Sequence, residues 1–311
     1  MPPQSPALIA TLVSASGLSQ QDLSTASDAV ATAGGVPSAE SAFDPPHATD
    51  LVIRGLSQAQ ARAALEAALP HLDVIVQPAG IRRKRLLVAD MDSTMIGQEC
   101  IDELADFAGL KAKIAAITER AMQGELDFEA ALDARVAALK GLDATAIDRC
   151  LAERITLMPG ARTLIATMKA LGARTLLISG GFTAFTAPVA ARIGFDRQVA
   201  NLLHIADGRL DGTVAKPIVD SAVKRDTLIA ERATLNLETA DTLAVGDGAN
   251  DIPMLQAAGL GIAYHAKPKA AAAADAAVRV GDLAVLLSAQ GIPRSEWVVD
   301  QPATALCRHC G

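Results

Sequence analysis

The hydrophobic rhythm of the chain changes near residue 82. Before it, apolar residues come in short alternating runs or in helical spacing. Ala7 to Val13 predicts a strand and Gln20 to Ala33 a helix, and two extended pieces flank Pro45 and Pro46 and end at Arg54. A helix over Gln58 to Leu69 and a strand over Leu72 to Val76 complete the order βαββαβ. That order suits a small ferredoxin-like α+β domain, expected over residues 1–80. Arg82, Arg83, Lys84 and Arg85 then form a charge run, expected to be a solvated linker.

From Leu86 onward the pattern is one of uninterrupted apolar runs, each followed by a polar or glycine-rich turn and a helix. Leu86 to Ala89, Thr175 to Ile178 and Thr242 to Val245 are the strongest, with Gly261 to Ala263 and Ala277 to Val280 weaker. Continuous apolar strands alternating with helices predict an α/β domain, a doubly wound parallel sheet of Rossmann type covered on both faces, over 81–297. The stretch between Asp90 and Arg174 is too long for one crossover. Amphipathic segments at Glu99 to Phe107, Lys111 to Met122, Phe128 to Leu139 and Ala144 to Ile155, broken at Gly109, Gly124 and Gly141, predict a helical cap over about 97–160. A cap above the strand ends would admit water at one step and exclude it at another. Residues 298–311 are left as a tail.

Composition narrows the function. A formal net charge of −7 opposes coating of nucleic acid, which needs a surplus of Lys and Arg, and points to a small-molecule partner. With 50% hydrophobic but only 3% aromatic residues, the core is expected to be aliphatic. No apolar stretch reaches the roughly 18 residues of a membrane span. The opening residues lack a basic signal segment, so a cytoplasmic location is expected. Cys307 and Cys310 form one CxxC around His309, too few ligands to close a zinc site, and are expected to be a reduced tail.

The three strongest strands all run out into polar residues, where a parallel sheet binds its ligands. Asp90 and Asp92 put two carboxylates two residues apart, which repel unless a proton or cation intervenes; Mg²⁺ suits them, because it needs few protein carboxylates and accepts a phosphate oxygen. Gly246, Asp247, Gly248, Ala249, Asn250 and Asp251 follow another strand. One acid could cap the helix beginning near Ile252, and the spare at Asp247 or Asp251 is better explained by the metal. Ser179, Gly180 and Gly181, expected to open a helix, offer a hydroxyl and backbone N–H groups to an anion. Phosphoryl transfer also needs a cation. Lys224, in the first turn of a helix capped by Asp220 or Ser221, opposes the helix dipole and so calls for a compensating role; Lys216, before Pro217, ranks second.

These four pieces, DMDST at 90–94, SGG at 179–181, Lys224 and GDGAND at 246–251, resemble in order and spacing the haloacid dehalogenase-like superfamily. Within it they are most similar to the phosphoserine phosphatase branch, over about residues 85 to 290. Met91 stands where many relatives carry Phe, at a position that contributes its backbone.

The resemblance implies hydrolysis of O-phospho-L-serine, the last step of serine biosynthesis, through a phospho-aspartate on Asp90, with Asp92 as acid and then base. It implies Mg²⁺ on the Asp90 carboxylate, the Asp92 backbone carbonyl and Asp247, with Asp251 supporting. Ser179, Gly180 and Lys224 would hold the phosphoryl oxygens, with Asn250 helping. Glu99 would take the amino group and Arg135 the carboxylate, under Met122 and Phe128. The N-terminal unit is similar to an ACT-type module, which in relatives binds amino acids or pairs subunits, so a homodimer is a further expectation. The alternatives are a related phosphatase or phosphotransferase acting on another small ester, and an amino-acid-sensing regulator.

Overall fold

The computed structural model describes residues 7–122, 125 and 127–299. The chain begins with β1 (Leu8–Val13), α1 (Gln20–Thr32), β2 (Val36–Asp44), β3 (Ala48–Arg54), α2 (Gln58–Ala68) and β4 (Asp73–Pro78). Both helices start on a capping box, Ser19 with Asp22 and Ser57 with Gln60, which satisfies backbone N–H groups that the first turn leaves free. They bury Ala26, Val30, Ala61 and Leu65 against an antiparallel sheet ordered β2-β3-β1-β4.

The second part runs β5 (Leu86–Ala89), then the helices α3 (Cys100–Phe107), α4 (Lys111–Met122), α5 (Phe128–Ala138), α6 (Thr145–Glu153) and α7 (Ala161–Ala170). It continues through β6 (Arg174–Phe182), α8 (Thr183–Ile193), β7 (Arg197–Asn201), β8 (Leu203–Ala206), β9 (Arg209–Val214), α9 (Ser221–Thr234) and β10 (Thr242–Gly246). α10 (Ile252–Ala257), β11 (Leu260–Tyr264), α11 (Pro268–Ala273), β12 (Ala276–Val278) and α12 (Val285–Ala289) follow. The strands β12-β11-β10-β5-β6-β7 are parallel neighbours. Along β5 the side chains alternate between two cores, Leu86 and Val88 in one, Leu87 and Ala89 in the other. A strand buried on both faces has no polar position, which is why these runs read as continuous. The chain leaves β5 for β6 on one side and later returns to β10 on the other. This is a topological switch point, and the crevice beyond it is the expected ligand position.

α3 to α6 form the helical insertion. Its neck is tied where Ile96 pairs with Leu157, with Gly97 N–H donating to Thr156 O at 3.1 Å and Met158 N–H to Met95 O at 2.9 Å. A hairpin of β8 and β9, not foreseen in the sequence, props the insertion. Its tip is Asp207-Gly208, both with positive φ, a two-residue turn that the sequence does signal. Gly141 N–H donates to Leu210 O at 2.8 Å and Leu210 N–H to Leu142 O at 2.9 Å, joining hairpin to insertion. Gly124 and the segment 300–311, with Cys307, His309 and Cys310, lie outside the described residues. Among the described residues no helix is long and apolar enough to cross a membrane.

The charge run is solvated only in part: Arg83 and Arg85 are exposed, but Arg82 and Lys84 are not. Arg82 pairs with Asp50, their side chains only 16% and 11% exposed, and Arg82 also donates to Thr11 Oγ1 at 2.9 Å. Lys84 is buried and donates to Ala240 O at 2.8 Å; burial pushes its ammonium down to about 8. The two sheets are continuous, because Val74 of β4 lies opposite Ala277 of β12. Asp73 accepts the N–H groups of Arg279 and Gly281 at 2.7 and 2.6 Å. A domain division at residue 80 is therefore a proposal that rests on element order, since packing runs across it.

Removing one partner of a nearly buried ion pair leaves the other charge without compensation. Asp50→Ala is expected to lower stability by roughly 3 kcal/mol, read from the urea midpoint of the full chain.

Candidate active site

Register brings the motifs together. Ala89 of β5 is paired with Leu177 of β6 and with Val245 of β10, so the residues just beyond them, Asp90, Ser179 and Asp247, emerge side by side. The link is direct: Asp90 N–H donates to Val245 O at 3.0 Å. α9 delivers the cation. Asp220 is its N-cap, accepting from Val223 N–H at 2.8 Å, and Lys224 one turn on points beneath the strand ends.

Lys224 is 1% exposed, and its Nζ lies 2.7 Å from Asp90 Oδ1 and 2.7 Å from Asp251 Oδ1. Burial opposes its charge, but the two carboxylates outweigh that and hold its pKa above the usual lysine range. Asp251 does not cap α10. Its Oδ2 instead turns back to accept the N–H groups of Asp247 at 3.2 Å and Gly248 at 3.0 Å, which fixes the loop. Gly246 is required there, because a Cβ on it would fall 2.5 Å from Asp251 Cγ. Ligand oxygens of Asp90, Asp247 and Asp251 lie within 4.8 Å of one another, all buried. Asp251 already spends both oxygens on Lys224 and the loop, whereas among the described residues the Asp247 carboxylate accepts a hydrogen bond only from Thr94 Oγ1, at 3.3 Å. This hard-oxygen set is compatible with a divalent cation.

Burial, then the charge of Asp251, pushes the Asp90 carboxyl well up, against the pull of Lys224. Asp92 is pushed up to about 7 by burial and by the neighbouring Glu99, while Cys100 N–H, 3.4 Å from its Oδ1, works the other way. Burial and Asp251 raise Asp247 to about 6.

Above these groups lies a cavity of about 270 Å³ lined by both layers. The core contributes Asp90, Asp92, Ser179, Gly180, Asp247 and Asn250; the insertion contributes Glu99 and Arg135 with Phe128. The layers touch at Gly180, where an added Cβ would come 3.2 Å from Phe128 Cζ. Glu99 is anchored by Ser93 Oγ at 2.8 Å. Arg135 donates from Nε to Ala131 O at 3.3 Å; burial lowers its pKa, and Asp102 and Glu99 support its charge.

The structure thus gathers the sequence-predicted residues around one cavity, except Lys224, which does not line it but lies buried beneath, bound to Asp90 and Asp251. Two expectations change. Ser179 to Gly181 lie inside β6, which runs to Phe182 before α8 begins, so the loop is an extended strand end. Gly181 N–H donates to Ser179 Oγ at 2.9 Å. Lys216, the alternative cation, is bound to Glu129 at 2.7 Å and Asp133 at 2.9 Å on α5, and does not line the cavity. The side chain of Met122 lies outside the described residues. Ile101, Leu132, Phe182 and Lys267 line the cavity without having been foreseen, the first three because apolar residues on helices and strands give no signal distinct from core.

A doubly wound sheet with paired acids at its switch point and a helical insertion above them defines a haloacid dehalogenase-like hydrolase. The family model of that description matches residues 87–256, and the chain belongs to this family, in its phosphoserine phosphatase branch. It is 46% identical over 256 residues to a phosphoserine phosphatase of Streptomyces coelicolor, across 81% of this chain and 62% of that one. A probable phosphoserine phosphatase from Vibrio cholerae superposes with a TM-score of 0.74 at 32% identity, covering 92% of this chain and 87% of that one. A structure described as a phospho-aspartyl intermediate analogue of phosphoserine phosphatase matches with a TM-score of 0.61 at 37% identity, across 66% of this chain and 98% of that one. The chain spans about three fifths of the length of the Streptomyces protein and of two other curated relatives.

The buried Lys224 makes Asp251 a stability determinant. Asp251→Ala removes one of two counter-charges and strands two backbone N–H groups, with an expected loss of roughly 3–5 kcal/mol in chemical denaturation.

Proposed function

We propose that this chain hydrolyses O-phospho-L-serine to serine and phosphate through a phospho-aspartate on Asp90. The observation that carries the reading is the cavity itself, which has Asp90 over Lys224 at its base and Arg135 with Glu99 in its upper wall. A phosphorylated zwitterion fits it: phosphoryl group toward Asp90, carboxylate toward the forked guanidinium, ammonium toward Glu99.

In the first half-reaction a carboxylate oxygen of Asp90 attacks phosphorus and the seryl oxygen departs, taking the proton of Asp92. In the second, water attacks the phosphorus of the acyl phosphate, Asp92 accepts its proton, and the Asp90 carboxylate is released with inorganic phosphate. A carboxyl raised to about 7 can serve in both directions near neutral pH, which supports this role for Asp92. Lys224 offsets charge at Asp90, and Ser179, Gly180 and Asn250 orient the phosphoryl oxygens. Phe128 against Gly180 closes the wall between lid and core. Mg²⁺ would be held by the Asp90 carboxylate, the backbone carbonyl of Asp92 and Asp247, with Asp251 holding the loop, and would neutralise phosphoryl charge. A cytoplasmic location, a homodimer and the cap boundaries at 97–160 belong to the same proposal and rest on the sequence.

Two measurements test it. Phosphoserine turnover should require Mg²⁺ and stop with a chelator, and labelled phosphate trapped by acid quench should lie on Asp90 alone; Asp90→Asn should retain the fold and lose turnover, because an amide cannot form the acyl phosphate. Specificity is read separately. Arg135→Ala should cost roughly 2–5 kcal/mol in kcat/KM for phosphoserine while sparing p-nitrophenyl phosphate, and Glu99→Gln should act in the same sense. An equal fall for both esters would assign these two residues a structural role.

A further inference from the structure

Four carboxylates line the cavity, Asp90, Asp92, Glu99 and Asp247, against two cations, Arg135 and Lys267. Even with Mg²⁺ offsetting part of that charge, a dianionic phosphate ester entering such a space gains from positive charge that faces it. Lys224 cannot answer at the mouth, since it is buried below the floor and engaged with Asp90 and Asp251. Arg135 comes from the lid and its charge is drawn to Asp102 and Glu99. Lys267 comes from the core. Its backbone is fixed, with N–H donating to Asp247 O at 3.0 Å and carbonyl accepting from Ala270 and Ala271, and Pro268 holds it extended. Its exposed side chain has no hydrogen bond or ion pair among the described residues, yet it lines the cavity. The larger cavity, between α2 and α11, offers no such group: its Arg62, Glu66, Asp275 and Arg279 are all satisfied within the protein.

We propose that Lys267 binds the phosphoryl oxygens of the entering ester and of the departing phosphate, a contact in addition to Ser179, Gly180 and Asn250. This rests on the reading of the cavity as a phosphate-ester site. Lys267 is attached beside Asp247, and its charge acts on the Asp247 carboxyl, so the ammonium serves the phosphoryl end and not the amino-acid end under Arg135. Its contribution is to capture, so it belongs to KM more than to kcat.

The test compares Lys267→Gln and Lys267→Arg in the full chain with Mg²⁺. Lys267→Gln should raise KM for phosphoserine and for p-nitrophenyl phosphate by the same factor, roughly ten-fold for a lost charge-assisted hydrogen bond, with kcat nearly kept. Calorimetric affinity for inorganic phosphate should fall by the same factor, and Lys267→Arg should restore most of it. Unchanged phosphate affinity in Lys267→Gln overturns the proposal. So does a rise in KM confined to phosphoserine, which would put Lys267 on the amino-acid part, or an equal loss in Lys267→Arg, which would show a role through the Asp247 loop. A wild-type chain that binds phosphate through Lys267 but cleaves neither ester refutes the hydrolase reading and leaves this one standing; one that binds no phosphate refutes this one.

Discussion

A lysine ammonium held out of water at the ends of three chain segments organises this molecule. Burying Lys224 is unfavourable unless two carboxylates stay within hydrogen-bond reach, and those carboxylates, Asp90 and Asp251, follow different strands. The pairing therefore fixes the loop after β5, the loop after β10 and the start of α9 against one another. Asp251 extends the constraint by accepting the N–H groups of Asp247 and Gly248, so the acid that faces the cavity is placed by the acid that does not. Gly246 follows from the same crowding, since a side chain there would displace Asp251.

This economy of charge divides the acids by environment. Asp251, surrounded by donors, has its oxygens committed. Asp90, Asp92 and Asp247 are enclosed with fewer donors, and each carboxyl is pushed up by burial and by neighbouring negative charge. Carboxyls of this kind favour either a bound cation or a proton, the two things that phosphoryl transfer to an aspartate requires. Membership of the haloacid dehalogenase-like hydrolases agrees with that arrangement.

The lid is positioned by parts of the chain with no chemistry of their own. The β8–β9 hairpin grips the turn after α5, and Lys216 ties Glu129 and Asp133 of α5 to the core, so that the helix carrying Phe128, Leu132 and Arg135 lies over Gly180. Likewise the N-terminal unit is held through Arg82 and Asp50 and through Asp73, contacts that join residues far apart in sequence.

What the sequence by itself determined is whatever depends on local order. The apolar runs named β5, β6 and β10, the periodic segments named the lid helices, and acids placed directly after strands marked the cavity floor, because strand burial and helix amphipathicity leave a period that survives in one dimension. The tertiary structure alone decided how charges were shared. Lys224 and Lys216 are both plausible phosphate cations in sequence; only packing shows one buried between two aspartates and the other bound to the lid. Arg82 and Lys84 read as a solvated run because charged residues usually are, and only the join between the sheets gives them buried partners. Lys267 carried no local signal, since an exposed lysine before a proline is unremarkable until the return of β11 beside β10 sets it next to Asp247. Periodicity is a property of neighbours along the chain, whereas electrostatic partnership depends on distance in space, and register and topology set that distance.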